Sequence, residues 1–141
     1  MSMPGGFRCI WRDLNWVGSW GGNMPPNVSY LWFWLLGPLG FAKFYAPLSV
    51  LTVGLSVWVL FRQLRFKPWI GLLGALAAAL NTDFFSYACW GLGTLTICMA
   101  WIFVALAALA RSTPSSDWLK AAVGGFAVGM AILEGVDSGA I

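Results

Sequence analysis

The basic residues of this chain are concentrated in two short segments that lie between long apolar runs. One segment contains Arg62, Arg65 and Lys67, and the other contains Arg111 and Lys120. Four of the five acidic residues lie outside these segments: Asp13, Asp83, Glu134 and Asp137. Loops that retain Lys and Arg stay in the cytoplasm during membrane insertion. The pattern therefore predicts a polytopic membrane protein with two cytoplasmic basic loops and with most of its carboxylates on the other side.

Composition also favours a lipid bilayer as the solvent for this chain. Hydrophobic residues make up 60% of its 141 residues and charged residues only 9%, whereas a soluble domain typically has about 25% charged residues. The net charge of +3 does not indicate a nucleic-acid partner, because the basic residues flank apolar runs and do not form a patch. Histidine is absent, so any acid–base chemistry depends on carboxylates. The predicted partner is a lipid bilayer.

The apolar runs predict an all-α, polytopic transmembrane helix bundle with about four spans. The predicted spans are residues 44–61, 69–80, 87–110 and 121–133. Residues 30–42 are too short to span and are broken by Gly37-Pro38, which predicts an interfacial or re-entrant helix. Residues 1–29, rich in aromatic residues, Gly and Pro, are predicted to be an extracytoplasmic loop. Residues 30–141 would then form a transmembrane region of a larger domain.

This topology places residues 62–68 and 111–120 inside, and residues 1–40, 81–86 and 134–141 outside. An external N-terminus needs a cleaved signal or a preceding span, and no signal-peptide pattern is visible in the sequence. We therefore expect a fragment of a longer parent chain that supplies the remaining spans. A complete four-span protein is the alternative.

Four carboxylates are candidates for chemistry. For Asp13 an ion pair with the adjacent Arg12 is the alternative. Asp83 interrupts an apolar stretch, where an acid is costly and usually functional or paired; a plain turn at residues 81–83 is the alternative. Glu134 and Asp137 are three residues apart at a predicted helix end, so both could project to one side and hold a divalent cation or share a proton. A solvated helix terminus is the alternative for this pair.

Several segments together resemble a known family. Residues 15–40 contain NW, GGNMPPNVSY and LLGPLG, and residues 41–66 read FAKFYAPLSVLTVGLSVWVLFRQLRF. Residues 69–81 read WIGLLGALAAALN, and residues 124–137 read GGFAVGMAILEGVD. The order of these segments over residues 13–137 resembles the bacterial YfhO-like membrane proteins, relatives of the GT-C glycosyltransferases. The last turn departs from the family, where Gly-His is often found in place of Glu134-Gly135-Val136-Asp137.

The resemblance implies an integral transferase of the bacterial inner (plasma) membrane that moves a sugar from a polyprenyl-phosphate carrier to an extracytoplasmic acceptor. An external carboxylate would act as general base, and a cation would offset the lipid phosphate. The catalytic candidates are Asp13, Glu134 and Asp137. The substrate-binding candidates are Asn23, Asp83, Arg12 and Lys43, with Arg8 as a further external cation. A divalent cation is the one cofactor considered, with no metal ligands assigned, and the isolated piece is expected to be inactive.

Two other function classes remain open. A small non-catalytic membrane subunit could pack through the Ala-rich residues 69–80 and through Gly125 and Gly129, which form a small-xxx-small pattern. A transporter fragment would instead place Asp83 or Glu134 on a water-filled path within the membrane.

Overall fold

The computed structural model describes residues 10–12, 19–21, 27–110 and 117–135. Its elements are two three-residue strands and five helices: β1 (Ile10–Arg12), β2 (Ser19–Gly21), α1 (Val28–Gln63), α2 (Pro68–Ala79), α3 (Thr82–Cys89), α4 (Gly93–Leu109) and α5 (Asp117–Glu134). The strands pair antiparallel with Trp11 opposite Trp20, within the segment predicted as loop. Apart from this small ladder the described fold is helical, which confirms the predicted class.

Helix α1 contains the break that the sequence predicts at Gly37-Pro38. Gly37 has φ 68° and ψ 173°, a left-handed backbone conformation that disfavours residues with a Cβ. Pro38 opens the next helical segment, where its missing N–H costs little. Helical structure resumes there at once, so the prediction that the next helix starts near residue 44 is wrong, and Pro47 lies inside the helix.

The predicted single span over residues 87–110 is wrong, because α3 ends at Cys89 and α4 starts at Gly93. Gly91 has φ 81°. The N–H of Leu92 donates to the carbonyl of Tyr87 at 2.8 Å, and that of Gly91 to the carbonyl of Ala88 at 3.3 Å. These two bonds form a Schellman motif, which ends a helix with a left-handed glycine. The apolar character of residues 90–92 conceals this stop signal in the sequence.

The order of contacts along the helices fixes their directions. Tyr45 of α1 lies beside Gly93, at the start of α4. Further along α1, Gln63 lines a groove with Ala108 of α4 and Lys120 of α5. The second segment of α1 therefore runs in the same direction as α4, and α5 runs back against both. Helix α2 returns along α1, with its Gly71 beside Trp58 and Phe61, and with Ala75 and Ala79 beside Gly54.

This arrangement separates two ends of the bundle. The basic end contains the loop after α1 and the start of α5, with the described cations Arg62, Arg65, Lys67 and Lys120. The opposite end, here called the carboxylate end, contains Asn27, Ser29, Tyr45, Gly93 and Glu134. The two predicted basic loops thus meet at one end of the fold, as far as their residues are described.

The core is built from small and weakly polar side chains. The largest fully buried side chains are Ile97, Val53, Thr96, Cys98 and Ser49. Alanines of α2, α3, α4 and α5 supply most of the remaining buried apolar residues. No leucine, phenylalanine or tryptophan in residues 27–110 and 117–135 is buried. Small residues let helix backbones approach closely, so the helices pack through backbone proximity more than through large side chains.

Among the described helices, only α1 is long and apolar enough to cross a membrane by itself. Only 33% of its most apolar window is buried inside the fold, so α1 is not a core helix sheltered by the other helices. Helices α2 and α3 pass the same test when taken together, with a bend of 47° between them. The predicted four spans are therefore not confirmed, and α1 is the one clear candidate span.

Candidate functional site

Glu134, the last residue of α5, reaches across the carboxylate end to the first turn of α1. Its Oε1 accepts a hydrogen bond from the backbone N–H of Ser29 at 3.0 Å, and its Oε2 accepts one from the Ser29 hydroxyl at 2.7 Å. The side chain is only 7% exposed. The sequence alternative of a solvated helix terminus is therefore wrong for Glu134.

The chemistry of a helix start explains this contact. The first four backbone N–H groups of a helix have no partner inside it. In α1, Asn27 is the N-cap residue, and its Oδ1 accepts from the N–H of Tyr30 at 2.8 Å. Glu134 satisfies the N–H of Ser29, and a carboxylate is favoured there because the N-terminus carries partial positive charge. One charged residue thus joins the two ends of the chain's helical part.

Tyr45 extends the hydrogen-bonded chain. Its hydroxyl lies 2.8 Å from the Ser29 Oγ. A hydroxyl has one hydrogen to donate, and that of Ser29 is used in the hydrogen bond to Glu134. In the bond between the two hydroxyls, Tyr45 therefore donates and Ser29 accepts. Gly93 makes room for the Tyr45 ring, since a Cβ at this glycine would lie 2.6 Å from Cε1 of Tyr45. The order Tyr45, Ser29, Glu134 is therefore fixed by three helices.

A cavity of about 470 Å³ opens beside these three residues. Its described lining combines four aromatic residues with four polar or charged ones and two others: Tyr30, Phe33, Phe41, Tyr45, Asn27, Ser29, Thr94, Glu134, Gly91 and Leu133. Phe41 lies between Phe33 and Tyr45, with ring centroids 5.5 Å and 4.3 Å away. The described lining contains a carboxylate and no Lys or Arg. Its charge therefore favours a cationic ligand over an anionic one.

The other predicted site residues lie elsewhere or outside the described residues. Asp83 is exposed in the first turn of α3, where its backbone N–H donates to Oδ1 of the N-cap Asn81 at 2.9 Å. Residues 80 and 81 link α2 to α3, and residues 82 and 83 are in the first turn of α3. The alternative of a turn that links two helices therefore agrees with the structure, with the link ending just before Thr82. The exposed Lys43 has its ammonium 5.7 Å from the ring centroid of Phe44, and it does not line the cavity.

The remaining candidates cannot be placed beside the cavity. Arg12 lies on β1, and nothing is described of its side chain. Asp13, Asn23 and Asp137 lie outside the described residues. Glu134 is thus the one predicted catalytic residue with a described position. Residues 27–110 and 117–135 include no group of three His, Cys, Asp or Glu side chains that could hold a metal ion.

Sequence reasoning missed Asn27, Ser29 and Tyr45. Asn27 has a detectable signal, because an Asn directly before a long apolar run is a favoured N-cap. Ser29 and Tyr45 have none, since their roles come from Glu134 and Gly93, which are distant in sequence. No protein-family model, curated protein or solved structure matches this chain. The site is therefore interpreted from its own geometry.

The N-cap provides a first test of this geometry. Replacing Asn27 with alanine should lower the free energy of unfolding by about 1 kcal/mol, because the N–H of Tyr30 loses its acceptor. Thermal or denaturant unfolding of the purified protein in detergent would measure the change. Asn27→Ser is the matched control and should retain wild-type stability, since serine caps about equally well and adds no charge beside Glu134. Equal stability of the alanine and serine variants would contradict the described cap.

Proposed function

We propose that this chain is a membrane-embedded helical module that packs against further helices. The observation that carries the proposal is the inverted distribution of side chains. The buried residues are mainly alanine with some serine and threonine, whereas large apolar side chains are exposed on every described helix, for example Leu35, Leu73 and Leu109 at 61%, 67% and 76%. Such an outer surface suits lipid, and a soluble monomer rarely exposes large contiguous apolar patches.

Magnitudes support lipid as the solvent for this surface. Removing one Val, Leu, Ile, Phe or Met side chain from water is favourable by about 1.5–3 kcal/mol. Exposed residues of this kind occur on both segments of α1 and on α2, α3, α4 and α5. In water the combined gain from burying these side chains would drive the protein to associate with other molecules. In a bilayer the lipid tails solvate the same surface. Helix α1, the candidate span, presents many of these side chains.

The orientation that follows from the basic residues is part of the proposal. The described members of both basic clusters lie at one end of the bundle. We place this basic end in the cytoplasm of a bacterial cell and the carboxylate end outside, because Lys and Arg are retained on the cytoplasmic side.

An open face on α5 supports packing against another helix. A Cβ built on Gly125 or Gly129 would meet no atom within 4 Å. The small-xxx-small pattern therefore faces away from the other described helices of this chain, whereas the neighbouring Gly124 faces Ala108 of α4. Faces of this kind let a second transmembrane helix approach closely. Other transmembrane helices are the expected neighbours.

The second candidate is the glycosyltransferase that the sequence resemblance implies. One observation favours it: Glu134, a predicted catalytic carboxylate, lines a cavity at the end proposed to be external. Both of its oxygens already accept hydrogen bonds from Ser29, which favours a structural role. Sugar transfer from a polyprenyl-phosphate donor that is lost in Glu134→Gln and kept in Asp117→Asn would favour the enzyme. No turnover by folded protein would favour the non-catalytic module.

Membrane insertion and orientation can be tested by cysteine labelling. In a variant without its native cysteines, Lys67→Cys lies at the basic end and Lys43→Cys on the segment of α1 nearer the carboxylate end, both at exposed positions. We expect an impermeant maleimide to label position 43 in intact cells and position 67 only after lysis. The protein should also stay in the membrane pellet at alkaline pH.

The outcomes separate the parts of the proposal. Labelling of position 67 in intact cells, with position 43 protected, would reverse the orientation and leave the membrane module standing. A monomer that remains soluble in buffer without detergent would overturn the membrane proposal itself.

A further inference from the structure

We propose that the cavity beside Glu134 binds an organic ammonium ion, through the Glu134 carboxylate and the aromatic rings that line it. The proposal goes beyond the membrane module, since it assigns a ligand class to a site, and it does not depend on the orientation of the chain. Glu134 and four aromatic residues line this one cavity: Tyr30, Phe33, Phe41 and Tyr45.

The charge of the cavity favours a cation. Glu134 is buried, and its hydrogen-bond donors, the N–H and hydroxyl of Ser29, are neutral. The N-terminus of α1 contributes a partial positive charge of about half a unit. No Lys or Arg is among the described lining residues. An ionised Glu134 therefore leaves the cavity with a net negative potential that a monovalent cation would neutralise.

Aromatic rings form one wall of the cavity. The rings of Phe33, Phe41 and Tyr45 follow one another with centroids 5.5 Å and 4.3 Å apart. Ring faces attract cations, and quaternary ammonium groups in particular are recognised by several rings around a pocket. A neutral or anionic ligand does not gain this electrostatic attraction to the ring faces.

The lining of the cavity fits an organic cation better than a metal ion. Ca²⁺ needs six to eight oxygen ligands, and Mg²⁺ needs near-octahedral geometry. The described lining offers one carboxylate, which is already hydrogen-bonded to Ser29, and otherwise hydroxyl, amide and apolar groups. A volume of about 470 Å³ is also within the usual range for small organic ligands. The surroundings of Glu134 thus fit an alkylated or primary ammonium group.

The ammonium group could come from a zwitterionic lipid headgroup or from a free amine, and the test distinguishes these sources. Choline is the probe, titrated by calorimetry into the protein in nanodiscs of phosphatidylglycerol. Its neutral carbon isostere, in which carbon replaces the quaternary nitrogen, is the matched control ligand. We expect choline to bind at least about tenfold more tightly than the isostere.

Two variants test the two components of the site. Glu134→Gln removes the charge while keeping one acceptor oxygen, and Phe41→Leu removes a ring while keeping apolar volume. Each should weaken choline binding by about tenfold. Asp117→Asn and Phe85→Leu, which change exposed residues away from the cavity, should bind as wild type. Phe41→Leu keeps the test decisive if Glu134→Gln is too unstable to purify.

The outcomes are distinct. Choline binding that disappears in phosphatidylcholine nanodiscs would support the proposal with a lipid headgroup as the source. Binding that persists there would support it with a free ammonium compound as the source. No choline binding at millimolar concentration, or equal binding of the neutral isostere, would overturn the proposal. A folded, membrane-inserted protein that binds no ammonium would leave the membrane module intact.

Discussion

Glu134→Ala should lower the free energy of unfolding by about 2–3 kcal/mol, the largest effect expected for any exchange of a charged residue in the described fold. The N–H and hydroxyl of Ser29 would lose their acceptor in a position where Ser29 is buried. Hydrogen bonds to charged groups contribute about 1.5–3 kcal/mol, and buried donors without acceptors add a desolvation penalty. The contact also joins α5 to the start of α1, so its loss should loosen both helix ends.

The measurement is unfolding of the purified protein in mixed micelles, followed by circular dichroism. Glu134→Gln should be intermediate, because its amide oxygen can satisfy one of the two Ser29 donors while its amide nitrogen cannot accept from the other. Asp117→Ala is the matched control: Asp117 is an exposed acid in the first turn of α5, where a favourable helix-dipole interaction is worth about 0.3–1 kcal/mol. Equal stability of Glu134→Ala and Asp117→Ala would contradict the buried hydrogen bonds between Ser29 and Glu134.

The class of the fold was predictable because it depends on local composition. Long apolar runs bounded by charged loops predict helices, and α2 and α5 begin and end within a few residues of the predicted spans. The break at Gly37-Pro38 was also readable, since Gly and Pro adjacent to each other rarely continue a helix. The division of residues 87–110 was not, because Gly91 acts as a helix stop only through its positive φ and the bonds to Tyr87 and Ala88.

The candidate site was less predictable than the helices. The sequence identified Glu134 as a carboxylate at a helix end, which is correct. Its partner Ser29 is 105 residues away, and nothing local to either residue indicates the pairing. The cavity likewise depends on the path of α1 after Gly37, which brings Phe33 and Phe41 to the same wall. Periodicity predicts a helix but does not give the neighbour that each helix face contacts.

A methyl group added at Gly93 of α4 should disturb the packing of the Tyr45 ring. In Gly93→Ala the new Cβ would lie 2.6 Å from Cε1 and 3.0 Å from Cζ of Tyr45. The Tyr45 ring has little freedom to move, because it is only 8% exposed, packs 4.3 Å from Phe41 and is hydrogen-bonded to Ser29. Overpacking of this kind costs about 1–3 kcal/mol. Alanine gains about 0.5–1 kcal/mol over glycine in a helix interior, and Gly93 is the first residue of α4, so this gain does not offset the clash.

Gly125→Ala is the matched control, since it adds the same methyl group to a helical glycine with no atom within 4 Å of the new Cβ. The two variants should therefore change stability in opposite directions: Gly93→Ala lowers the unfolding temperature, and Gly125→Ala leaves it unchanged or raises it. Tyr45→Ala combined with Gly93→Ala relieves the clash, so the pair should be less destabilised than the sum of the single variants. Additive effects of the two substitutions would show that Gly93 does not accommodate Tyr45, and the fixed order of Tyr45, Ser29 and Glu134 would then lose its support.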